Sequence, residues 1–248
     1  FRIVLMCAAG LFAAAFSSSA TAAPVSLLRE AYTARVGSEK AGQPLTARYQ
    51  MDEGGAFVLD RSTVKPLLKF DDDPEIWALE AAPGPRGDVI YRNDVGEPMV
   101  RATRLGGMTV FTAKRPDGSA AAFDGASPPL HVPSLTPQAL FRTFYQASLR
   151  TSRAAGHQIG FETKQDADPA TSAYLADAAI VASEALVDIA ARPGGKAGLG
   201  HVNDVVVAQG AKPGATLQKG VLIVTIVSTQ GVFGRPSSRR IEKAAWVR

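Results

Sequence analysis

The first candidate for chemistry is a serine followed three residues later by a lysine, Ser62 and Lys65. A serine becomes a nucleophile when it lies at a helix N-terminus and a lysine amine one helical turn further on can take its proton. Here Pro66 follows the lysine, and the flanking residues have the pattern of strands, in which residues three apart point to opposite faces. The local sequence therefore favours a turn over a catalytic serine.

A run of aspartates offers ligands for a hard cation. Asp71, Asp72 and Asp73 precede Pro74 and Glu75, and carboxylate oxygens are the ligands that Ca²⁺ prefers. A calcium loop, however, spaces its ligands at alternating positions with a glycine at the bend. Consecutive aspartates before a proline are typical of a solvated turn, so we predict no metal site here.

Three further carboxylates, Asp88, Asp94 and Glu97, flank one predicted strand and its turn. Two carboxylates that face each other across a cleft hydrolyse glycosidic bonds, but sequence does not show such a pair. The neighbouring asparagine, glycine and proline indicate that these acids belong to turns. An envelope hydrolase with a carboxylate or serine centre therefore remains the alternative hypothesis.

Histidine and cysteine provide no metal or nucleophile pattern. The three histidines, His131, His157 and His201, are far apart in sequence, so a zinc site would need three distant loops to converge. The single cysteine, Cys7, lies in the apolar leader. We predict no metal, no cofactor and no thiol chemistry.

Arginine is the most regular charged residue. One set recurs along a predicted helix and the other follows a proline-serine segment near the C-terminus. Such stripes are usually solvated helix faces, here opposite an acidic stripe of Asp177, Glu184 and Asp188. The sharper hypothesis is that they bind an anionic envelope component, such as lipid A phosphate or peptidoglycan. The candidate ligand-binding residues are Arg142, Arg150, Arg153, Arg235, Arg239 and Arg240.

The first 22 residues have the features of a secretory signal peptide. An apolar run from Ile3 to Phe16 is followed by serines and by Ala20-Thr21-Ala22, a small-x-small cleavage pattern. We expect cleavage after Ala22, export to the periplasm or envelope, and no transmembrane span in the mature chain. The formal charge of +4 is small and dispersed, which argues against nucleic acid as a partner.

The rest of the chain predicts an α+β fold. Turn signals about every ten residues predict an antiparallel β-rich region over residues 23–126, in the form of a meander, sandwich or small barrel, after a short helix at 25–36. A proline-rich loop then leads to residues 127–248, an α+β region with two helices and a buried strand pair. The first helix is predicted to begin at Thr136-Pro137 and to end at Gly156, and the second to run from Asp168-Pro169 to about Ala191. The first helix has a wide apolar face, formed by Leu140, Phe141, Phe144 and Tyr145. We expect the two regions to share one core.

Several segments resemble a known family. They are FVLDRS, FDDDPEIWAL, GPRGDVIYRNDVGEPMVRATRLGGMTVFT, GVLIVTIV and GRPSSRRI. With these segments the chain resembles a family of uncharacterised exported proteins from Caulobacter-like alphaproteobacteria, over most of its length. The resemblance implies an envelope location but no catalytic residue. The leading hypothesis is thus a non-enzymatic binding or structural module of the envelope.

Overall fold

The computed structural model of the protein describes residues 44–165 and 168–246. The predicted signal peptide and the predicted helix at 25–36 lie outside the described residues. Within these two ranges the chain forms thirteen β-strands and four α-helices.

The N-terminal region forms one antiparallel sheet of nine strands. Its order is β4-β3-β2-β1-β9-β8-β7-β6-β5, so two meanders meet where β1 pairs with β9. Turns whose glycines have positive φ, such as Gly54 and Gly96, allow the tight reversals between strands. The strands are β1 (Thr46–Met51), β2 (Ala56–Asp60), β3 (Leu67–Phe70), β4 (Ile76–Ala78), β5 (Glu80–Pro83), β6 (Val89–Arg92), β7 (Pro98–Ala102), β8 (Met108–Thr112) and β9 (Arg115–Ala126).

The nine-stranded sheet is curled almost into a barrel. Its two edge strands, β4 and β5, are consecutive in the chain and only Leu79 separates them. The two edges of the sheet must therefore come together at this residue, which is completely buried. Curling of this kind hides the unpaired backbone groups that an open edge would expose.

Side chains of the strands β1 to β8 fill the barrel, whereas no residue of β9 is fully buried. Tyr49 and Phe57 face each other on β1 and β2, with ring centroids 5.3 Å apart and nearly parallel planes. Leu59, Leu68 and Trp77 belong to the same buried cluster. The period of two in the sequence thus becomes a packed interior, as expected for a small barrel.

Two helices follow, α1 (Pro137–Ala155) and α2 (Pro169–Ala191). The hydroxyl of Thr136 caps α1 by accepting a hydrogen bond from the Ala139 amide at 3.2 Å, and α1 ends at Gly156, which has φ +83°. The carboxylate of Asp168 caps α2 in the same way. Most of α2 is apolar and buried along its whole length, so it is the central helix of this region.

A second sheet packs against the helices in the order β10-β11-β13-β12. The first three strands are parallel, whereas β12 is antiparallel to β13. Two short helices and a 3₁₀ segment over 228–234 complete the region. The elements are β10 (Gly160–Thr163), α3 (Gly195–Gly198), β11 (Asp204–Gln209), β12 (Gly214–Gln218), β13 (Val221–Ile226) and α4 (Ser238–Ala245).

The apolar side chains form a large cluster in each region and a small third cluster between them. The small cluster joins Leu67 and Ile76 of the barrel to Val232 of the 3₁₀ segment. The predicted α+β class, with a β-rich part before two helices and a buried strand pair, is confirmed. The predicted region boundary at 126/127 stays a prediction, although β9 ends at Ala126 and α1 begins at Pro137.

Candidate functional site

The arginines predicted on α1 lie on its outward face. Arg150 forms a forked ion pair with Glu184 of α2, with 2.8 Å between Nη2 and Oε2. Arg142 and Arg153 are exposed and form no ion pair with a described residue. Among the described residues, Arg150 is thus the one α1 arginine that pairs with the acidic stripe.

The same face of α1 carries a row of large apolar side chains. Phe141 is 73% exposed, Tyr145 59% and Leu149 46%. Their spacing of four residues places them one above another along the helix, beside Arg142 and Arg153. We call these five residues the α1 surface. Sequence reasoning assigned Phe141 and Tyr145 to the same apolar face as Leu140 and Phe144, but only the latter two enter the core.

The arginines near the C-terminus have a different environment. Arg235 is 6% exposed and lies between two carboxylates, Glu75 of the barrel (3.0 Å) and Asp177 of α2. Its Nη2 also donates to the carbonyl of Ile76 at 2.8 Å. Arg235 therefore links the barrel to the helical region.

Burial perturbs the ionisation of this cluster. Burial raises the pKa of Glu75 to about 7, against the opposing effect of Arg235. Burial alone would lower the pKa of Arg235, but the carboxylates of Asp177 and Glu75 outweigh it and raise the pKa. Arg235 thus remains a cation, while Glu75 titrates near neutrality.

The other two arginines hold the N-terminus of α4 against the β6–β7 turn. Arg240 donates to Asp94 (2.7 Å from Nε to Oδ2), and Asp94 also accepts from the amide and hydroxyl of Ser237, the residue that caps α4. Arg239 pairs with Glu242 at 3.2 Å and lies 3.9 Å from Glu97. These contacts tie the arginine-rich segment to the barrel.

The residues considered for a hydrolase do not converge. Ser62 donates to Asp60 at 2.6 Å in the β2–β3 loop, so no helix aligns it with Lys65. Asp88 accepts from Arg101 at 2.7 Å. Asp94 and Glu97 line two different cavities. We find no described pocket that holds two of these acids, or Ser62 with a base.

The carboxylates of the acidic turn at 71–75 also contact different partners and do not converge on one point. Asp71 pairs with Arg48, whereas Asp73 accepts from the Trp77 indole at 2.9 Å and from the Glu75 amide at 2.8 Å. The Glu75 side chain points to Arg235. In the described ranges no group of three or more His, Cys, Asp or Glu side chains is arranged to hold a metal ion.

Two cavities flank α4. The smaller, about 250 Å³, is a cleft between the β4–β5 bend and the start of α4, where Ser237 and Arg240 line it. The larger is an open groove of about 720 Å³ at the end of the barrel facing α2, where Ser238 and Arg239 line it. The lining of the groove is mainly acidic, with Glu53, Asp72, Asp73, Glu75, Glu97, Glu184 and Asp188 against Lys114, Arg115 and Arg239.

One groove carboxylate has an altered ionisation. Burial raises the pKa of Asp188, and the nearby carboxylates of Glu242 and Glu184 raise it further, while Arg239 and Arg192 oppose the shift. The groove is therefore an electrostatically crowded site.

The fold and these surfaces define an α+β protein in which an almost closed antiparallel barrel is tied to a helix-covered mixed sheet through a buried arginine. The chain belongs to the family described as domain of unknown function (DUF4908), whose model matches residues 28–245. No curated protein and no solved structure matches the chain. In the part of the chain that the structure describes, no helix is long and apolar enough to cross a membrane.

Proposed function

We propose that the protein is an exported, non-enzymatic envelope module that docks on an anionic lipid surface through the α1 surface. The observation that carries this proposal is the exposed row of Phe141, Tyr145 and Leu149 beside two arginines that form no ion pair with a described residue. Export itself is part of the proposal and rests on the predicted signal peptide and on the resemblance to exported alphaproteobacterial proteins.

The chemistry of α1 suits a lipid surface. The helix contains three arginines and no aspartate or glutamate. An interfacial helix buries apolar side chains at the level of the headgroups, while its cationic side chains meet anionic lipid phosphates. Each arginine near such a surface contributes about 1 kcal/mol.

A lipid surface explains the row better than a polar polymer such as peptidoglycan. A phenylalanine that is 73% exposed gains free energy only when an apolar environment removes it from water. Lipid acyl chains offer that environment along the whole row. Binding of a polar polymer would need only the arginines and would leave the apolar row in water. The scattered acids and Ser62 give the hydrolase hypothesis no comparable support.

Vesicle sedimentation of the purified chain lacking residues 1–22 tests the docking. We expect binding to phosphatidylcholine vesicles that contain about 30% phosphatidylglycerol, and weaker binding to pure phosphatidylcholine or at raised salt. The double variants Phe141→Ser/Tyr145→Ser and Arg142→Gln/Arg153→Gln should each weaken binding about tenfold.

The matched control is Arg104→Gln/Leu105→Ser, which removes an exposed arginine and an apolar side chain that is 97% exposed in the β7–β8 turn. It should bind as the unmodified chain does. Equal losses in the control and the α1 variants, or no binding to anionic vesicles at low salt, would refute docking by α1. Export is tested separately, by mass spectrometry of the mature N-terminus from cells, where retention of residues 3–16 would contradict it.

A further inference from the structure

The smaller cavity has walls from five separate parts of the chain. They are the β2–β3 loop, the β4–β5 bend, the β6–β7 turn, the β11–β12 loop and the segment from Phe233 into α4. At about 250 Å³ it is slightly below the usual size of pockets for drug-like ligands. A small ligand would therefore fill this cavity.

Cationic side chains reach this cleft from three of those parts. Lys65 comes from the β2–β3 loop, Lys212 from the β11–β12 loop and Arg240 from α4. The Lys65 ammonium lies 5.6 Å from the centre of the Phe233 ring, which holds it at the cleft. Neither lysine is within 4.0 Å of a carboxylate among the described residues.

The negative charges in the wall are fewer. Asp94 is already engaged by Ser237 and Arg240, and Glu80 is the other carboxylate of the lining. Arg235 forms part of the floor. Because Arg235 is already paired with Glu75 and Asp177, three further cations face these two carboxylates. Neither Lys65 nor Lys212 is paired with a carboxylate in the described part of the chain.

We propose that this cleft binds a small phosphate-bearing anion. Lysine ammonium groups bind phosphate as point charges, and two of them on separate loops can contact different oxygens of one phosphate group. The proposal is independent of lipid docking, because the cleft shares no residue with the α1 surface. The phosphate could come from a free metabolite or from a lipid headgroup.

Isothermal titration calorimetry at low salt tests the site with three probes: inorganic phosphate, pyrophosphate and glycerol 1-phosphate. We expect saturable binding of pyrophosphate below about 10 mM. Stronger binding of glycerol 1-phosphate than of inorganic phosphate would point to a headgroup, and the reverse order to a free phosphate. Both orders support the cleft if the variants below behave as expected.

The test variant is Lys65→Gln/Lys212→Gln, which should weaken pyrophosphate binding at least about tenfold, since charge-assisted contacts of this kind contribute more than 1.4 kcal/mol. The control Lys164→Gln/Lys196→Gln removes two exposed lysines elsewhere and should bind normally. No saturable binding, or equal weakening in both variants, overturns the proposal. Arg142→Gln/Arg153→Gln should retain pyrophosphate binding, so failure of lipid docking and failure of the cleft are distinguishable.

Discussion

At the scale of residues, the most consequential group is the buried arginine with its two carboxylates. Arg235 carries one positive charge between Glu75 and Asp177, so the cluster would hold a net negative charge if both acids were ionised. Removing charge from water is unfavourable, and a proton on Glu75 relieves the excess. Burial of the carboxyl is the main reason why the pKa of Glu75 rises to about 7, with a smaller contribution from the Asp73 carboxylate, while Arg235 and Ser238 oppose the rise.

The raised pKa of Glu75 predicts how stability depends on pH. Between its ordinary value of 4.5 and about 7 the folded state binds more protons at Glu75 than the unfolded state does. The stabilisation from this group is therefore present below pH 4.5 and lost as the pH rises through about 7. We expect the free energy of unfolding, measured in urea, to fall more steeply across this window in the unmodified chain than in Glu75→Gln. Parallel curves for the two proteins would contradict the assignment.

A second prediction concerns a buried hydroxyl. The Tyr49 hydroxyl has no hydrogen-bond partner among the described residues, although its ring lies inside the barrel. A buried polar group without a partner costs about 1–3 kcal/mol. Tyr49→Phe should therefore raise the urea midpoint, whereas the control Tyr145→Phe, at an exposed position, should leave it unchanged. A lower midpoint for Tyr49→Phe would show that the hydroxyl does have a partner.

The contacts of the candidate site were beyond sequence reasoning for a physical reason. Arg235 and Glu75 are 160 residues apart, and nothing local marks them as partners. From sequence alone, an arginine-rich segment is predicted to be solvent-exposed, because the residues that bury it lie far away in the chain. The exposure of the α1 arginines could be predicted from sequence, because helical periodicity alone places Arg142 and Arg153 away from the core.

At the scale of elements, local chemistry determines the helices well. Thr136 and Pro137 mark the start of α1 and Gly156 its end, as the sequence predicts. The strands were harder to predict from the sequence. Pro116, Asp117 and Gly118 have turn composition but lie within β9, and the edge strand β12 was not predicted. Pairing with β8 and β13 imposes these strands, so tertiary contacts override local preference.

Two of the capped helices, α1 and α4, give a matched prediction. Thr136→Ala should lower the free energy of unfolding by about 1 kcal/mol, the usual value of an N-cap. Ser237→Ala should lower it more, because the Ser237 hydroxyl caps α4 and also donates to Asp94 of the barrel. Urea unfolding of both variants checks the order. Equal losses would show that the bond to Asp94 contributes nothing.

At the scale of the whole molecule, the barrel and the helical region are joined by a polar link and a small apolar cluster. Arg235, Asp94 and Glu75 connect the barrel to α2 and α4, while Leu67 and Ile76 pack against Val232. Each region also has its own large apolar cluster. The buried arginine should therefore control how cooperatively the two regions unfold.

Arg235→Met should lower the free energy of unfolding by about 3–5 kcal/mol, because it leaves Glu75 and Asp177 buried together without their cation. The triple variant Arg235→Met/Glu75→Gln/Asp177→Asn should lose less, since the uncompensated charges are gone. Calorimetry of both variants, with Arg104→Met as an exposed control, measures the difference. A triple variant that is less stable than the single one would contradict a charge-based explanation.

The amino-acid sequence by itself determined the α+β class, the caps and lengths of α1 and α2, and the outward position of the α1 arginines. These features depend on residues a few positions apart, whose periodicity and turn chemistry act locally. Only the tertiary structure decided that the edges of the sheet meet at Leu79, that Arg235 is buried between two carboxylates, and that Lys65 and Lys212 face one cleft. Such features depend on burial and charge between residues distant in the chain, which no local pattern encodes.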